Sequence, residues 1–86
     1  MKYVFGRTPS MARDWVKQQD FPERYKVISM AQGLLGVRSS EVHLVADYGY
    51  SVEWPELQAF LDERKDCNNL NVIQHNEKED RKENSD

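Results

Sequence analysis

The chain has 86 residues, of which 38% are hydrophobic and 31% are charged, and its formal net charge is −3. This length predicts one domain with a small core. No apolar run approaches the ~20 residues of a membrane-spanning helix or the length of a secretory signal, so we expect a cytoplasmic protein without membrane contact. The acidic excess and the lack of a basic run make nucleic acid an unexpected partner.

Cysteine and histidine content limits metal and redox chemistry. Cys67 is the only cysteine, which excludes an intramolecular disulfide and a cysteine-rich zinc site. His43 and His75 are far apart in the sequence and have no ligand spacing. We therefore expect no metal, no cofactor and no catalytic role for either histidine.

The charge pattern divides the chain. Residues 75–86 (HNEKEDRKENSD) contain no apolar side chain, with three bases and five acids, and predict a disordered tail that is solubilising or binds a partner. Residues 1–74 are predicted to form a single α/β domain.

The N-terminal part predicts a strand followed by a helix. Residues 2–5 (KYVF) are aromatic and β-branched and end at Gly6, which is typical of a strand and a tight turn. Thr8 and Pro9 then predict a helix that runs to about Gln19, with Thr8 as its N-cap.

A second strand is predicted over residues 25–28 (YKVI). Ser29 and Gln32 match a capping box, which predicts a short helix that ends near Gly36.

The third strand is the clearest, because residues 41–46 (EVHLVA) are almost continuously apolar, as in a buried parallel strand. A helix is predicted from about Val52 or Trp54 to Lys65, and residues 70–74 (LNVIQ) fit a last edge strand.

Alternation of strands and helices predicts a small α/β domain of two or three layers. We expect a mostly parallel sheet of three or four strands in the order 2-1-3, with flanking helices and any fourth strand beside the third.

Ligands of open parallel sheets bind beyond the carboxyl ends of the strands. The loop after the first strand therefore predicts an anion site, since it leads into a helix N-terminus and carries a cation and hydroxyl groups. Its candidate residues are Gly6, Arg7, Thr8 and Ser10. The alternative is structural, with Gly6 allowing the turn and Thr8 capping the helix.

Ser29 and Asp47 follow the second and third strands and are the other candidates for this ligand site. A carboxylate such as Asp47 at the end of an apolar strand orients magnesium in many phosphate-binding proteins. An aspartate at this position also starts turns by bonding to its own backbone.

Three aromatic residues, Tyr48, Tyr50 and Trp54, lie within seven residues. They predict a contact patch for a partner protein or a stacking surface for a base. Trp54 alternatively packs in the core.

Residues 3–10 (YVFGRTPS) and 42–47 (VHLVAD) resemble the first strand and the Walker B strand of a P-loop domain in a minimal, degenerate or Rossmann-like form. The first stretch departs from the phosphate-loop motif, because it lacks the second glycine and the Lys-Ser/Thr pair. In size and charged tail the chain is also similar to small accessory proteins encoded by bacteriophages of actinobacteria.

These features favour a non-enzymatic module that binds a protein partner or a second copy of itself. The alternative is a domain that binds a nucleotide or a small anion, with the phosphate at the N-terminus of the first helix. No nucleophile is paired with a base, so we expect no enzymatic activity.

Overall fold

The structure, a computed structural model, describes residues 1–75. Strands and helices alternate along the chain as β1 (Lys2–Phe5), α1 (Pro9–Lys17), β2 (Tyr25–Val27), β3 (Glu41–Leu44), α2 (Trp54–Arg64) and β4 (Asn71–Gln74). Three 3₁₀ turns lie over Pro22–Arg24, Ala31–Leu34 and Tyr48–Tyr50. Apart from His75, the tail predicted to be disordered lies outside the described residues.

The four strands form one parallel sheet in the order β2-β1-β3-β4. This arrangement confirms the predicted α/β class, the 2-1-3 order and the position of the last strand beside the third. β1 and β3 are the two central strands, which is why they carry the most apolar sequences. β2 and β4 are the edges.

Helix α1 begins as the sequence predicts. The Thr8 hydroxyl accepts a hydrogen bond from the Met11 N–H at 3.2 Å, and Pro9 occupies the first helical position. Ala12 and Val16, one helical turn apart, are buried against the sheet. The helix ends at Lys17, two residues earlier than expected.

The sheet is covered on both faces, which makes three layers. The larger core lies between the sheet, α2 and the Ala31–Leu34 turn, whereas the smaller core lies under α1. Buried side chains of the larger core include Phe5, Leu34, Val42, Leu44, Leu57 and Leu61. Those of the smaller core are Val4, Ala12, Val16 and Val45.

The helix predicted after Ser29 is a single 3₁₀ turn over Ala31–Leu34, so this prediction was wrong in type and in its cap. Met30 occupies the N-cap position and makes no side-chain hydrogen bond. The physical reason is that glycine disfavours an α-helix, and glycine is needed at position 33 because a Cβ there would lie 2.8 Å from Cγ2 of Ile28. Gly36, at φ +78°, then turns the chain away.

We expect Gly33→Ala to lower the free energy of unfolding by about 1–2 kcal/mol, because the added methyl overpacks the buried Ile28 side chain. Gly49→Ala is the matched control, since no atom lies within 4 Å of a Cβ at that position. Urea titration of both variants measures the difference. Equal stability of the two variants would contradict the packing argument.

Candidate partner-binding surface

The carboxyl ends of β1 and β3 lie side by side at the point where the connections of the sheet diverge. α1 leads from β1 to the β2 edge, and α2 leads from β3 to the β4 edge on the opposite face. The two loops are joined, because the Arg7 N–H donates to the Ala46 carbonyl at 3.1 Å. Open α/β sheets bind their ligands at such a position.

The N-terminus of α1 offers few groups to an anion. Pro9 has no N–H, and the Met11 N–H already donates to the Thr8 hydroxyl. Within residues 1–75, this leaves the Ser10 N–H as the remaining donor of the first turn. The structural reading of Gly6 and Thr8 therefore accounts for their geometry, while anion binding stays a prediction.

Ser29 and Asp47 lie at the same edge of the sheet but are not brought together. Ser29 follows the edge strand β2 and is exposed, and Asp47 is exposed beyond β3. No hydrogen bond between their side chains is found among the described residues. A magnesium role for Asp47 stays a prediction.

The backbone after β3 is strained. Ala46 and Asp47 are consecutive non-glycine residues in the left-handed region, at φ 51° and φ 56°. Each such residue costs on the order of 1–3 kcal/mol, and strain of this kind clusters at functional sites. The strain therefore marks the loop that begins at these two residues as a candidate functional segment.

The three aromatic residues of this loop have different environments. Tyr48 packs edge-on against Trp54 at 4.7 Å between ring centroids, and Trp54 lies 6.3 Å from Phe5. Both therefore pack against the larger core, as the alternative reading of Trp54 expected. Tyr50 instead points outward and is 64% exposed.

Tyr50 belongs to a small surface that we call the carboxyl-edge rim, defined as Arg7, Tyr50 and Val52. The Arg7 guanidinium lies 5.9 Å from the centre of the Tyr50 ring. Val52 is 92% exposed, whereas Ser51 between the two is buried and accepts a hydrogen bond from the Glu53 N–H. Buried Ser51 therefore separates the exposed Tyr50 and Val52 side chains and ties the loop to the residue before α2.

A second cluster, which sequence reasoning missed, lies on the face that carries α1. Nε2 of His43 is 2.9 Å from a carboxylate oxygen of Glu41, and Nδ1 of His43 is 3.0 Å from Nε2 of His75. Trp15 from α1 and Tyr25 from β2 pack against His43, each with 5.6 Å between ring centroids. The two histidines expected to be unrelated are therefore hydrogen-bonded.

The two imidazole rings lie end to end. Their planes differ by 11° and their centroids are 5.2 Å apart, which matches two coplanar rings joined across a 3.0 Å N···N contact. A carboxylate only accepts, so Nε2 of His43 donates to Glu41. In neutral His43, Nδ1 then accepts from the Nε2–H of His75. The result is a carboxylate–imidazole–imidazole chain.

This chain of hydrogen bonds affects the ionisation of Glu41. The hydrogen bond from His43 holds the pKa of the Glu41 carboxyl below its ordinary value of 4.5, and the nearby Lys2 charge acts in the same direction. The His43 ring is buried, whereas the Glu41 side chain is 39% exposed.

Strand register is the signal that could have found the histidine pair. Glu41 and His43 alternate onto one face of β3, and His43 lies beside Ile73 of β4. His75 is two residues beyond Ile73 and therefore returns to the same face. The sequence analysis placed any fourth strand beside the third, but it predicted neither the direction nor the register of that strand.

Neither α-helix of residues 1–75 has the length and apolar character needed to cross a bilayer. The same residues contain no group of three or more histidine, cysteine or acidic side chains arranged for a metal ion. No family model matches the chain, and searches of curated proteins and of solved structures find no match.

Proposed function

We propose that this domain is a non-enzymatic protein-binding module that contacts its partner through the carboxyl-edge rim. The observation that carries the proposal is the outward projection of Tyr50 and Val52, 64% and 92% exposed, from a loop held by buried Ser51. An exposed tyrosine ring supplies a large contact area and has few rotatable bonds, so ordering it on binding costs little conformational entropy.

The chemistry of the rim indicates the kind of surface it fits. Tyr50 and Val52 offer an aromatic ring and a branched aliphatic group, and Arg7 adds a cation beside the ring. A matching partner surface presents an apolar pocket next to a carboxylate. Tyrosine and arginine are the residue types that most often dominate protein interfaces.

The proposal is tested by affinity purification from the cells that make the protein, with wild type compared with the double variant Tyr50→Ala/Val52→Asp. We expect recovery of a specific partner to fall at least about tenfold, which corresponds to ~1.4 kcal/mol. Leu35→Asp is the matched control, because Leu35 is 64% exposed but lies outside the rim.

Equal recovery by the rim variant and the control would refute the proposal. A thermal shift with a panel of nucleotides, with and without magnesium, separates the module from the nucleotide-binding alternative. Stabilisation by a nucleotide that Arg7→Ala abolishes would favour that alternative.

A further inference from the structure

A different surface, the outer edge of the sheet at β2, has the features of a peptide-binding groove. The groove runs between α1 and β2 and has a volume of about 410 Å³. It is lined by Arg13, Val16, Lys17, Tyr25, Lys26 and Val27. We call it the β2 groove.

The backbone of β2 has hydrogen-bonding groups at the open edge beside this groove that no group of residues 1–75 uses. The N–H of Ile28 donates to the Val4 carbonyl of β1 at 2.9 Å. Since alternate residues of a strand face the same neighbour, Lys26 also faces β1, and the N–H and carbonyl of Val27 face outward. The Tyr25 carbonyl faces outward too, while its N–H donates to Pro22. The outward N–H and carbonyl of Val27 make no backbone hydrogen bond within residues 1–75.

An exposed strand edge is a template for an added strand. Val27 supplies one donor and one acceptor in line, and Tyr25 supplies a further acceptor, which fits about three residues of an extended peptide. The floor beside this edge is apolar, because Val16 belongs to the smaller core and Tyr25 and Val27 pack against that core. An added strand would place alternate side chains on that floor.

The charge of the groove selects its occupant. Arg13, Lys17 and Lys26 surround it, no acidic residue lines it, and none of the three makes an ion pair within the described part of the chain. This is a local cationic patch on a protein whose net charge is −3. Complementary charge steers and orients binding, so the patch favours an acidic segment.

We propose that the β2 groove binds an extended acidic peptide segment of another protein, which adds as a strand to the outer edge of β2. This surface is separate from the carboxyl-edge rim and goes beyond the function proposed for it. Tyr50→Ala/Val52→Asp is therefore expected to leave peptide binding unchanged, so the two proposals succeed or fail independently.

The probe is a fluorescein-labelled peptide of about eight residues that alternates valine and glutamate, chosen to be extended and acidic. Titration with the full chain, followed by fluorescence anisotropy, is expected to saturate and to weaken with added salt. The same peptide with lysine in place of glutamate is expected to bind at least about tenfold more weakly. Equal affinity of the two peptides would overturn the proposal.

Charge reversal in the groove supplies a second comparison. We expect Arg13→Glu/Lys17→Glu to weaken binding of the acidic peptide at least about tenfold, whereas Arg38→Glu/Lys65→Glu, an equal change of charge outside the groove, keeps most of it. All four positions are exposed, so the variants are expected to fold. Equal weakening by both double variants would show that net charge, not the groove, is responsible.

The backbone contribution is tested at Val27. Val27→Pro removes the outward N–H, which an edge strand tolerates, and Val27→Ala shortens the side chain but keeps the donor. We expect the proline variant to lose binding of the acidic peptide in the anisotropy titration and the alanine variant to keep it. Saturating peptide is also expected to slow hydrogen exchange of the Val27 amide in wild type. Unchanged exchange at this amide, or a concentration-dependent dimer that excludes the peptide, would overturn the proposal.

Discussion

Leu44→Ala is expected to lower the free energy of unfolding by about 2–5 kcal/mol, one of the two largest effects of a single substitution that we predict in this domain. Leu44 is fully buried on the central strand β3 and lies beside Phe5 of β1 in the larger core. The substitution removes apolar contacts and leaves a cavity that a tightly packed sheet fills only in part. A small domain has only about 5–15 kcal/mol of stability to lose.

Urea denaturation followed by tryptophan fluorescence measures this effect, since Trp54 packs on Phe5 and reports on the same core. The midpoint is expected to fall while the denaturant dependence stays unchanged. Leu35→Ala is the matched control, because Leu35 is exposed, and its effect is expected to stay within ~0.5 kcal/mol. A similar loss in both variants would mean that Leu44 is not part of a cooperative core.

The α/β class and the parallel sheet could be predicted because they follow from local patterns, and the preferred strand order agreed with the structure. The apolar run of β3 predicts burial on both faces, and alternation with helices predicts a parallel sheet, so a central β3 is expected from the sequence. The start of α1 was equally local, since Thr8 and Pro9 define an N-cap within two residues. Such features need no knowledge of distant contacts.

The features that were missed depend on distant contacts. Ser29 satisfies a capping pattern, but the tight packing against Ile28 requires a glycine at position 33, which disfavours the predicted helix, and one 3₁₀ turn forms instead. The pairing of His43 with His75 depends on the register of β4 beside β3, which no short pattern encodes. For the candidate surface, the sequence indicated the loop, while the structure shows that Tyr50 projects outward and that Tyr48 packs inward.

The two proposed binding surfaces use different properties of the same sheet. The carboxyl-edge rim depends on exposed side chains beyond β1 and β3, whereas the β2 groove depends on backbone groups of the edge strand that have no partner within residues 1–75. The two surfaces also differ in positive charge, because the rim contains one cationic side chain, Arg7, whereas three cationic residues line the groove. A partner that engages both would therefore need an apolar contact at one site and an extended acidic segment at the other.

His43→Leu is expected to lower the free energy of unfolding at neutral pH by about 2–3 kcal/mol. Leucine keeps much of the ring's volume against Trp15 and Tyr25 but removes a hydrogen bond to the Glu41 carboxylate, worth ~1.5–3 kcal/mol, and one to His75, worth ~0.5–1.5 kcal/mol. The Glu41 side chain is 39% exposed, so water can replace part of the lost hydrogen bond to its carboxylate. The expected loss of stability is therefore smaller than the two hydrogen-bond contributions added together.

The same substitution is expected to change how stability depends on pH. The pKa of Glu41 is lowered in the folded protein, mainly by the hydrogen bond from His43, so the unfolded chain binds the proton at higher pH than the folded one. Stability from this group is therefore complete above the ordinary value of 4.5 and is lost as pH falls through the lowered pKa. His43→Leu removes the main cause of the lowered pKa, so stability is expected to fall less steeply with acid than in wild type. Lys2 and the N-terminus still lower the pKa of Glu41 to a smaller extent, so some pH dependence stays.

Glu41→Gln separates the two effects. The glutamine oxygen still accepts from Nε2 of His43, so this variant is expected to stay closer to wild type at neutral pH than His43→Leu, yet it has no carboxyl group to titrate.

Urea unfolding followed by circular dichroism between pH 3 and 7 (about the range in which carboxyl groups release their protons) measures the stability of all three proteins. Wild type is expected to lose the most stability toward acid, because only it has both the carboxylate and its donor. If the free energy of unfolding falls equally steeply with acid in all three proteins, the Glu41–His43 hydrogen bond contributes nothing to the pH dependence of this fold.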